Sequence, residues 1–255
     1  PLLWMVMSSF KESSTIFHTA GQLLPTQPTL ENYANGWKGF SHTTFATFFK
    51  NTFFVAAMGT VGSIVSSLLV AYGLSRLRFR LRGLLFALVL LTMMLPGQIL
   101  MIPQYLWYNQ LGWINTYSPL IAEFYFATQG FFVYLLMNFM DGIPKDLDEA
   151  ATIDGASKTK QFFSITVPMI TPVIFYNLVT QIAQAFQEFN GPYIIFNNGG
   201  PRGSVTLVSL LVYNYAFKSN EMGMACAMAW VMFIIIALLT VIAFGSQKHW
   251  VYYAD

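Results

Sequence analysis

Asn177, Gln181, Gln184 and Glu188 recur at intervals of four, three and four residues, the spacing that lines up side chains on one face of an α-helix. Thr180 and Gln187 fall on the margins of that face. Amides and a carboxylate in register offer both donors and acceptors, which is the chemistry needed to hand on hydroxyls such as those of a sugar. The stretch that carries them, Met169–Phe189, is otherwise apolar and about long enough to cross a bilayer as helix. An unsatisfied polar group in hydrocarbon is costly, so this face must meet other helices or water. Two uses stay open: a translocation pathway, or interhelical hydrogen bonds typically worth under about 2 kcal/mol each.

Residues 141–167 offer docking in place of passage. Asp146-Leu-Asp-Glu-Ala-Ala-Thr-Ile-Asp-Gly-Ala-Ser157 is a polar island between two apolar stretches. Asp141-Gly-Ile-Pro144 leaves the preceding span as a turn, because proline lacks a backbone donor and disfavours helix just before it. Asp146 is placed to cap a short helix whose first turn carries Asp148 and Glu149, the right sign for a positive helix end. Ala150 and Ala151 are small enough to let another surface approach the backbone. Gly155, between Asp154 and Ala156, permits the left-handed geometry that ends a helix. A second short helix, Ser157–Ser164, then returns the chain through Ile165 to Pro168, suited to the first turn of the next span. The expected product is a helix–turn–helix knob projecting from the membrane.

The elements that position these residues follow from composition. With 55% hydrophobic and only 9% charged residues, the chain lies far from the soluble norm and reads as a polytopic, all-α membrane protein. Five full spans are expected, near Phe53–Leu74, Leu84–Trp107, Leu120–Met140, Met169–Phe189 and Gly223–Phe244. Pro96 and Pro103 are placed to kink the second of these. Pro1–Met7 reads as the outer end of a further helix whose beginning precedes this numbering, giving six in all. Arg76, Arg78, Arg80, Arg82, Lys145, Lys158, Lys160 and Lys248 fall on one side, with the loop 141–167 and the C-terminus. The outer segments 8–51, 108–119 and 190–222 carry Lys11, Lys38, Lys50, Arg202 and Lys218 over a greater length, so the positive-inside rule makes the first side cytoplasmic. The alternating Arg76–Arg82 run reads as a lipid-headgroup anchor.

Other chemistries are poorly supported. A net charge of +2 gives no case for nucleic acid, and the lone Cys226 forms neither a disulfide framework nor a metal site. His18, His42 and His249 lack ligand spacing, so no metal is expected. Glu123 and Glu188 lie toward outer span ends, where a carboxylate stays hydrated; Glu188 is read as a hydrogen-bonding group for a solute or a partner. Tyr105, Trp107, Tyr108 and Trp113 read as an interfacial belt, while Phe186, Phe189 and Tyr193 adjoin the polar face and are better placed to stack on a sugar. Asn197-Asn-Gly-Gly-Pro-Arg-Gly203 reads as turns and Thr206–Phe217 as an interfacial amphipathic helix. No phosphate-binding loop occurs, no nucleophile–base constellation lies in a span, and no internal repeat points to an ion-coupled secondary transporter, which is the alternative reading.

The loop carries a further pattern. Glu149-Ala150-Ala151, three residues, Gly155, nine residues, Ile165, one residue, an aliphatic and Pro168 resembles the signature loop of permease subunits in binding-protein-dependent ABC importers, with Val167 where leucine is usual. Leu95-Pro-Gly-Gln98, Ile102-Pro-Gln104, Leu111-Gly-Trp-Ile-Asn-Thr116 and Gly142-Ile-Pro-Lys-Asp-Leu-Asp148 are similar to the maltose-type sugar branch, and most like its second permease subunit. Asn198-Gly-Gly-Pro201 and Trp250-Val-Tyr-Tyr253 look more like the first. The resemblance implies a type I importer fold, with 1–255 as one transmembrane domain in the plasma membrane of a prokaryote. It implies that Asp148, Glu149, Ala150, Ala151, Asp154, Gly155, Ala156, Ile165 and Pro168 couple the chain to an ATPase. The implied partners are a second permease, two ATPase subunits, an extracytoplasmic sugar-binding protein and membrane lipid. ATP and Mg belong to the ATPases, so this chain is expected to have no cofactor and to be no enzyme. A di- or oligosaccharide is the implied cargo.

Overall fold

The computed structural model describes residues 1–40, 43–195 and 206–253. Their regular structure is helical throughout, apart from one isolated antiparallel bridge between Phe40 and Thr43. In chain order the helices are α1 (Leu2–Ser9), α2 (Glu31–Lys38), α3 (Phe45–Arg76), α4 (Arg82–Met94), α5 (Gly97–Gln110), α6 (Ser118–Ile121), α7 (Gly130–Gly142), α8 (Lys145–Ile153), α9 (Lys158–Gln161), α10 (Val167–Met169), α11 (Thr171–Phe186), α12 (Asn190–Ile194), α13 (Val208–Tyr213) and α14 (Met222–Trp250). A 3₁₀ turn at Ala122–Phe126 joins α6 toward α7, and π-helical turns at Phe162–Thr166 and Asn214–Lys218 follow α9 and α13.

Three stretches among the described residues, Phe45–Arg76, Ser118–Gly142 and Met222–Trp250, are long and apolar enough to cross a membrane. Two bent pairs bring the number to five if each counts as one span. The span expected over Leu84–Trp107 is one of them. α4 and α5 meet at 104°, because Pro96 holds Leu95 in an extended conformation, φ −84° and ψ 123°. Each half is about 20 Å long, short of the roughly 30 Å of hydrocarbon, so neither crosses alone. Pro103 sits inside α5 without breaking it.

The chain divides into two compact units of interleaved segments. The first comprises residues 1–57, 107–120 and 182–240. Its core gathers Phe45, Phe48, Val208, Leu211, Tyr215, Ala227 and Met228. The Asn51 amide donates to the Thr206 carbonyl at 3.2 Å and its oxygen accepts from Tyr117 at 2.7 Å, while the Thr52 hydroxyl accepts the Val208 N–H at 2.9 Å. The segment read as an interfacial amphipathic helix is therefore corrected. Leu207, Val208, Leu210 and Leu211 are fully buried in protein, so α13 spends its apolar face on this core and not on lipid. The expected turn 197–203, the 198–201 motif, Arg202 and His42 lie outside the described residues.

The second unit comprises residues 58–106, 121–181 and 241–255. Ala71 and Leu74 of α3, Val133, Leu136 and Met140 of α7, Ile170 just before α11 and Val173 within it form its core. The Ser66 hydroxyl donates to the Phe124 carbonyl at 2.7 Å and accepts the Ala127 N–H at 3.2 Å, fixing the 3₁₀ turn to α3.

Within the first unit the N-terminal segment is held by a buried amide. Asn32 donates to the carbonyls of Ser9 at 2.8 Å and Lys11 at 2.7 Å, and Gly223 lies so close that a Cβ there would stand 2.7 Å from the Asn32 Nδ2. Removing the amide strands two backbone acceptors. Asn32→Ala is expected to cost about 1–3 kcal/mol, read as a lowered unfolding midpoint in detergent.

Candidate functional site

In the second unit the loop after α7 is fastened by one arginine. Arg76, the last residue of α3, donates through Nη2 to the carbonyls of Met140 at 2.6 Å and Ile143 at 3.2 Å. Its Nη1 stands 3.2 Å from the Asp148 carboxylate in the first turn of α8, with the Arg76 side chain only 8% exposed. The guanidinium fork thus caps the carbonyl end of α7 and holds the start of α8 at once. The neighbouring Ser75 hydroxyl donates to Asp141 at 2.6 Å. The expectation that Arg76 anchors to headgroups is corrected: it turns into the protein, whereas Arg78 and Arg80 remain exposed.

α8 begins two residues earlier than Asp146 capping requires. Pro144 occupies the cap position without a side-chain bond, and Asp146 and Asp148 both lie in the first turn. The helix ends as Gly155 allows, at φ +77°, with the Gly155 N–H bonded to the Thr152 carbonyl and the Ala156 N–H to the Ala151 carbonyl, a Schellman closure. Ser157 caps α9 by accepting the Lys160 N–H. The second helix stops at Gln161, short of Ser164, and continues as the π turn that contains Ile165; Pro168 sits in the first turn of α10. Gln161 is buried and donates to the Thr152 hydroxyl at 2.9 Å and the Ala156 carbonyl at 3.0 Å, locking α9 onto α8. Glu149, Ala150, Asp154 and Gly155 face outward, Ala151 and Ala156 less so, and Ile153 is 86% exposed.

The polar residues of α11 separate into two sets. In the second unit Asn177 and Gln181 are each 1% exposed; Gln181 donates to the Ser63 hydroxyl at 3.0 Å, and both amide atoms of Asn177 lack a partner among the described residues. In the first unit Gln184 and Gln187 are exposed, with Gln187 donating to the Ala183 carbonyl. Tyr176 is exposed and Thr180 partly so, on the flank of the face that carries Asn177, Gln181 and Gln184. Glu188 is engaged locally: its carboxylate accepts the Gly191 N–H at 2.8 Å at the start of α12, and its carbonyl accepts from Ser209. Phe186 is buried against Phe49 and Phe53 and offers no stacking face, while Phe189 and Tyr193 stack on each other and meet Tyr213 tilted and edge-on.

No group of three or more histidine, cysteine, aspartate or glutamate residues that could hold a metal occurs among the described residues. The profile of the family described as binding-protein-dependent transport system inner membrane component matches residues 63–251, the bent α4–α5 pair and the clamped loop included. The chain belongs to this family. It is a multi-pass membrane protein. It is 34% identical over 191 residues to the trehalose/maltose transport system permease protein MalG of Thermococcus litoralis, covering 74% of this chain and 67% of that one. To the probable ABC transporter permease protein YesP of Bacillus subtilis it is 45% identical over 115 residues, covering 45% of this chain and 37% of that one. The match thus spans between about a third and two thirds of these relatives' length. The fold is shared with a chain of a bacterial ABC transporter involved in import of the polysaccharide alginate, at TM-score 0.72 and 20% identity over 98% of this chain and 89% of that one.

Of the residues that hold the loop, Arg76 reads in the sequence as a headgroup anchor and Gln161 carries no signal; the exposed Ile153 is not among the expected site residues either. The available signal for Ile153 was an isoleucine closing an otherwise polar helix. Arg76→Met is expected to free two carbonyls and Asp148 together, costing about 3–5 kcal/mol. Limited proteolysis at Lys145 and Lys158 should quicken accordingly, and Arg76→Lys, which lacks the fork, should recover only part of the protection.

Proposed function

We propose that the chain is a permease subunit of an ATP-driven importer of di- or oligosaccharides, most like the second permease of its pair. Its membrane crossings are α3, the α4–α5 pair, the α6–α7 stretch, α11 and α14, with α1 as the outer end of a sixth. The C-terminus is cytoplasmic. Its partners are a homologous permease, two ATPase subunits that hold ATP and Mg, and an extracytoplasmic sugar-binding protein. No bond is made or broken on this chain.

The observation that carries this reading is the clamped knob. α8 presents Glu149, Ala150, Ile153 and Asp154 outward, followed by Phe163 at 65% exposure. Asp148, Ala151, Gly155, Ala156, Ile165 and Pro168 shape and orient that surface. Apolar side chains on a polar helix outside the bilayer suit a protein cleft, with Ile153 as the buried anchor of the complex. Because Arg76 ties α8 to α3 and α7, a displacement of α8 by the closing ATPase moves the cytoplasmic ends of both helices. Chemical energy released on the partner thereby becomes a change of access across the membrane.

The test is uptake by the reconstituted complex. Ile153→Asp and Gly155→Pro are expected to lower uptake at least about tenfold, while insertion of this subunit is unchanged. Normal uptake in both variants excludes α8 as the coupling element.

The pathway falls to the exposed polar groups of α11, Gln184 and Gln187, since exposed amides cannot rest against lipid. Asn177 and Gln181 instead serve helix packing, and Glu188 holds the turn that follows. Gln184→Leu combined with Gln187→Leu is expected to lower maximal uptake about tenfold with stability intact. Asn177→Leu, which removes two unpartnered buried atoms, should leave the unfolding midpoint unchanged or raised. A transport defect confined to Asn177→Leu reverses the assignment.

A further inference from the structure

A cleft of about 530 Å³ in the second unit lies among residues of α3, α4 and the segment leading into α7. Gly73, Leu85 and Leu88 line its length, Phe79 lies toward the α3–α4 turn, and Thr92 and Thr128 lie at the opposite end. Nothing stands within 4 Å of where a Gly73 Cβ would be, so that glycine keeps the floor open. The two threonine hydroxyls are already spent on the carbonyls of Val89 and Glu123. The lining therefore asks no hydrogen bond of its occupant. From Leu85 to Thr92 α4 rises about 10 Å, the reach of a good part of one alkyl chain.

At the turn beside Phe79 the charge is of one sign. Arg78 and Arg80 are exposed and Arg82 is half-buried, and none of their side chains makes a hydrogen bond or ion pair among the described residues. Arg82 opens α4, whose first turn carries no acidic residue and whose cap position supplies no side-chain acceptor. A cation at the positive end of a helix is unfavourable, and a bound anion offsets it. Arg76, one turn earlier in the same run, is occupied by Asp148 and takes no part.

We propose that this cleft takes one acyl chain of an anionic phospholipid whose phosphate is held by Arg78, Arg80 and Arg82. The occupant must be apolar along the cleft and negatively charged at the turn, and a membrane-embedded protein meets that combination in its own bilayer. The inference rests on membrane embedding and is independent of what the protein transports.

The test is native mass spectrometry of the assembled full-length protein in mild detergent, with phosphatidylglycerol and phosphatidylcholine of equal chain length as probes. Phosphatidylglycerol is expected to be retained in preference. Each of Arg78→Gln, Arg80→Gln and Arg82→Gln should weaken its retention about fivefold. Gly73→Leu, which fills the cleft without changing charge and favours helix, should also lower it. Undiminished retention in Gly73→Leu overturns the cleft and leaves only a surface headgroup contact. Equal retention of the two lipids overturns the role of the arginines. A Gly73→Cys crosslink to another protein segment shows that protein fills the cleft and overturns the proposal.

Discussion

The Arg76 guanidinium joins the apolar frame of the second unit to its polar loop, and the geometry of the candidate docking surface depends on that join. A buried cation must be matched by fixed acceptors or it is expelled. Here the carbonyls of Met140 and Ile143 and the carboxylate of Asp148 supply them, leaving only Nε without a partner among the described residues. The same bonds serve the acceptors, since the terminal carbonyls of a helix need donors once its own ladder has ended. Lysine carries the charge but not the fork, so it cannot satisfy α7 and α8 together. The polar island is for this reason a fixed projection and not a slack connection.

A second constraint organises α11. Polar groups in a membrane-spanning helix must find protein or water, and this helix divides them along its length. Asn177 and Gln181 go inward, where Ser63 answers one and nothing among the described residues answers the other. Gln184 and Gln187 go outward; Gln187 reaches back to the Ala183 carbonyl, and what remains open on both is left to another subunit or to water. The unanswered amide of Asn177 marks the inner seam as imperfectly matched in this conformation. Buried polar groups that lack partners in one arrangement favour any alternative that supplies them.

Much of this was legible in the sequence because it is local. Runs of apolar residues fix the spans, Pro96 forces Leu95 out of helix, and Gly155 takes the left-handed turn that its position between two short helices demands. What periodicity cannot say is what each face meets. Asn177, Gln181 and Gln184 do share one face, yet only the first two are buried, because what covers a face changes along the helix and not only around it. Arg76 looks the same as Arg78, Arg80 and Arg82 in the alternating run; only the distant carbonyls of α7 and Asp148 distinguish it. The amphipathic pattern of 206–217 is equally correct and equally silent, since an apolar face satisfied by Phe45, Phe48 and Met228 reads the same as one satisfied by lipid.

The two attachments of the knob differ in stiffness, and that difference bears on what it can transmit. Toward α3 and α7 it is bound by a charged fork onto continuous helix, with no interruption between Arg76 and the core residues Ala71 and Leu74. Toward α11 it passes through the π turn Phe162–Thr166, then α10, then the non-helical Ile170, where the chain bends by 69°. A π turn and a helix break both loosen the regular ladder, so they are the points where bending costs least. A displacement of α8 of the kind proposed would therefore be carried to the ends of α3 and α7 with less bending than toward α11. The bend that costs least in the second unit is thus the one at Ile170, at the entry to the helix that carries the polar residues.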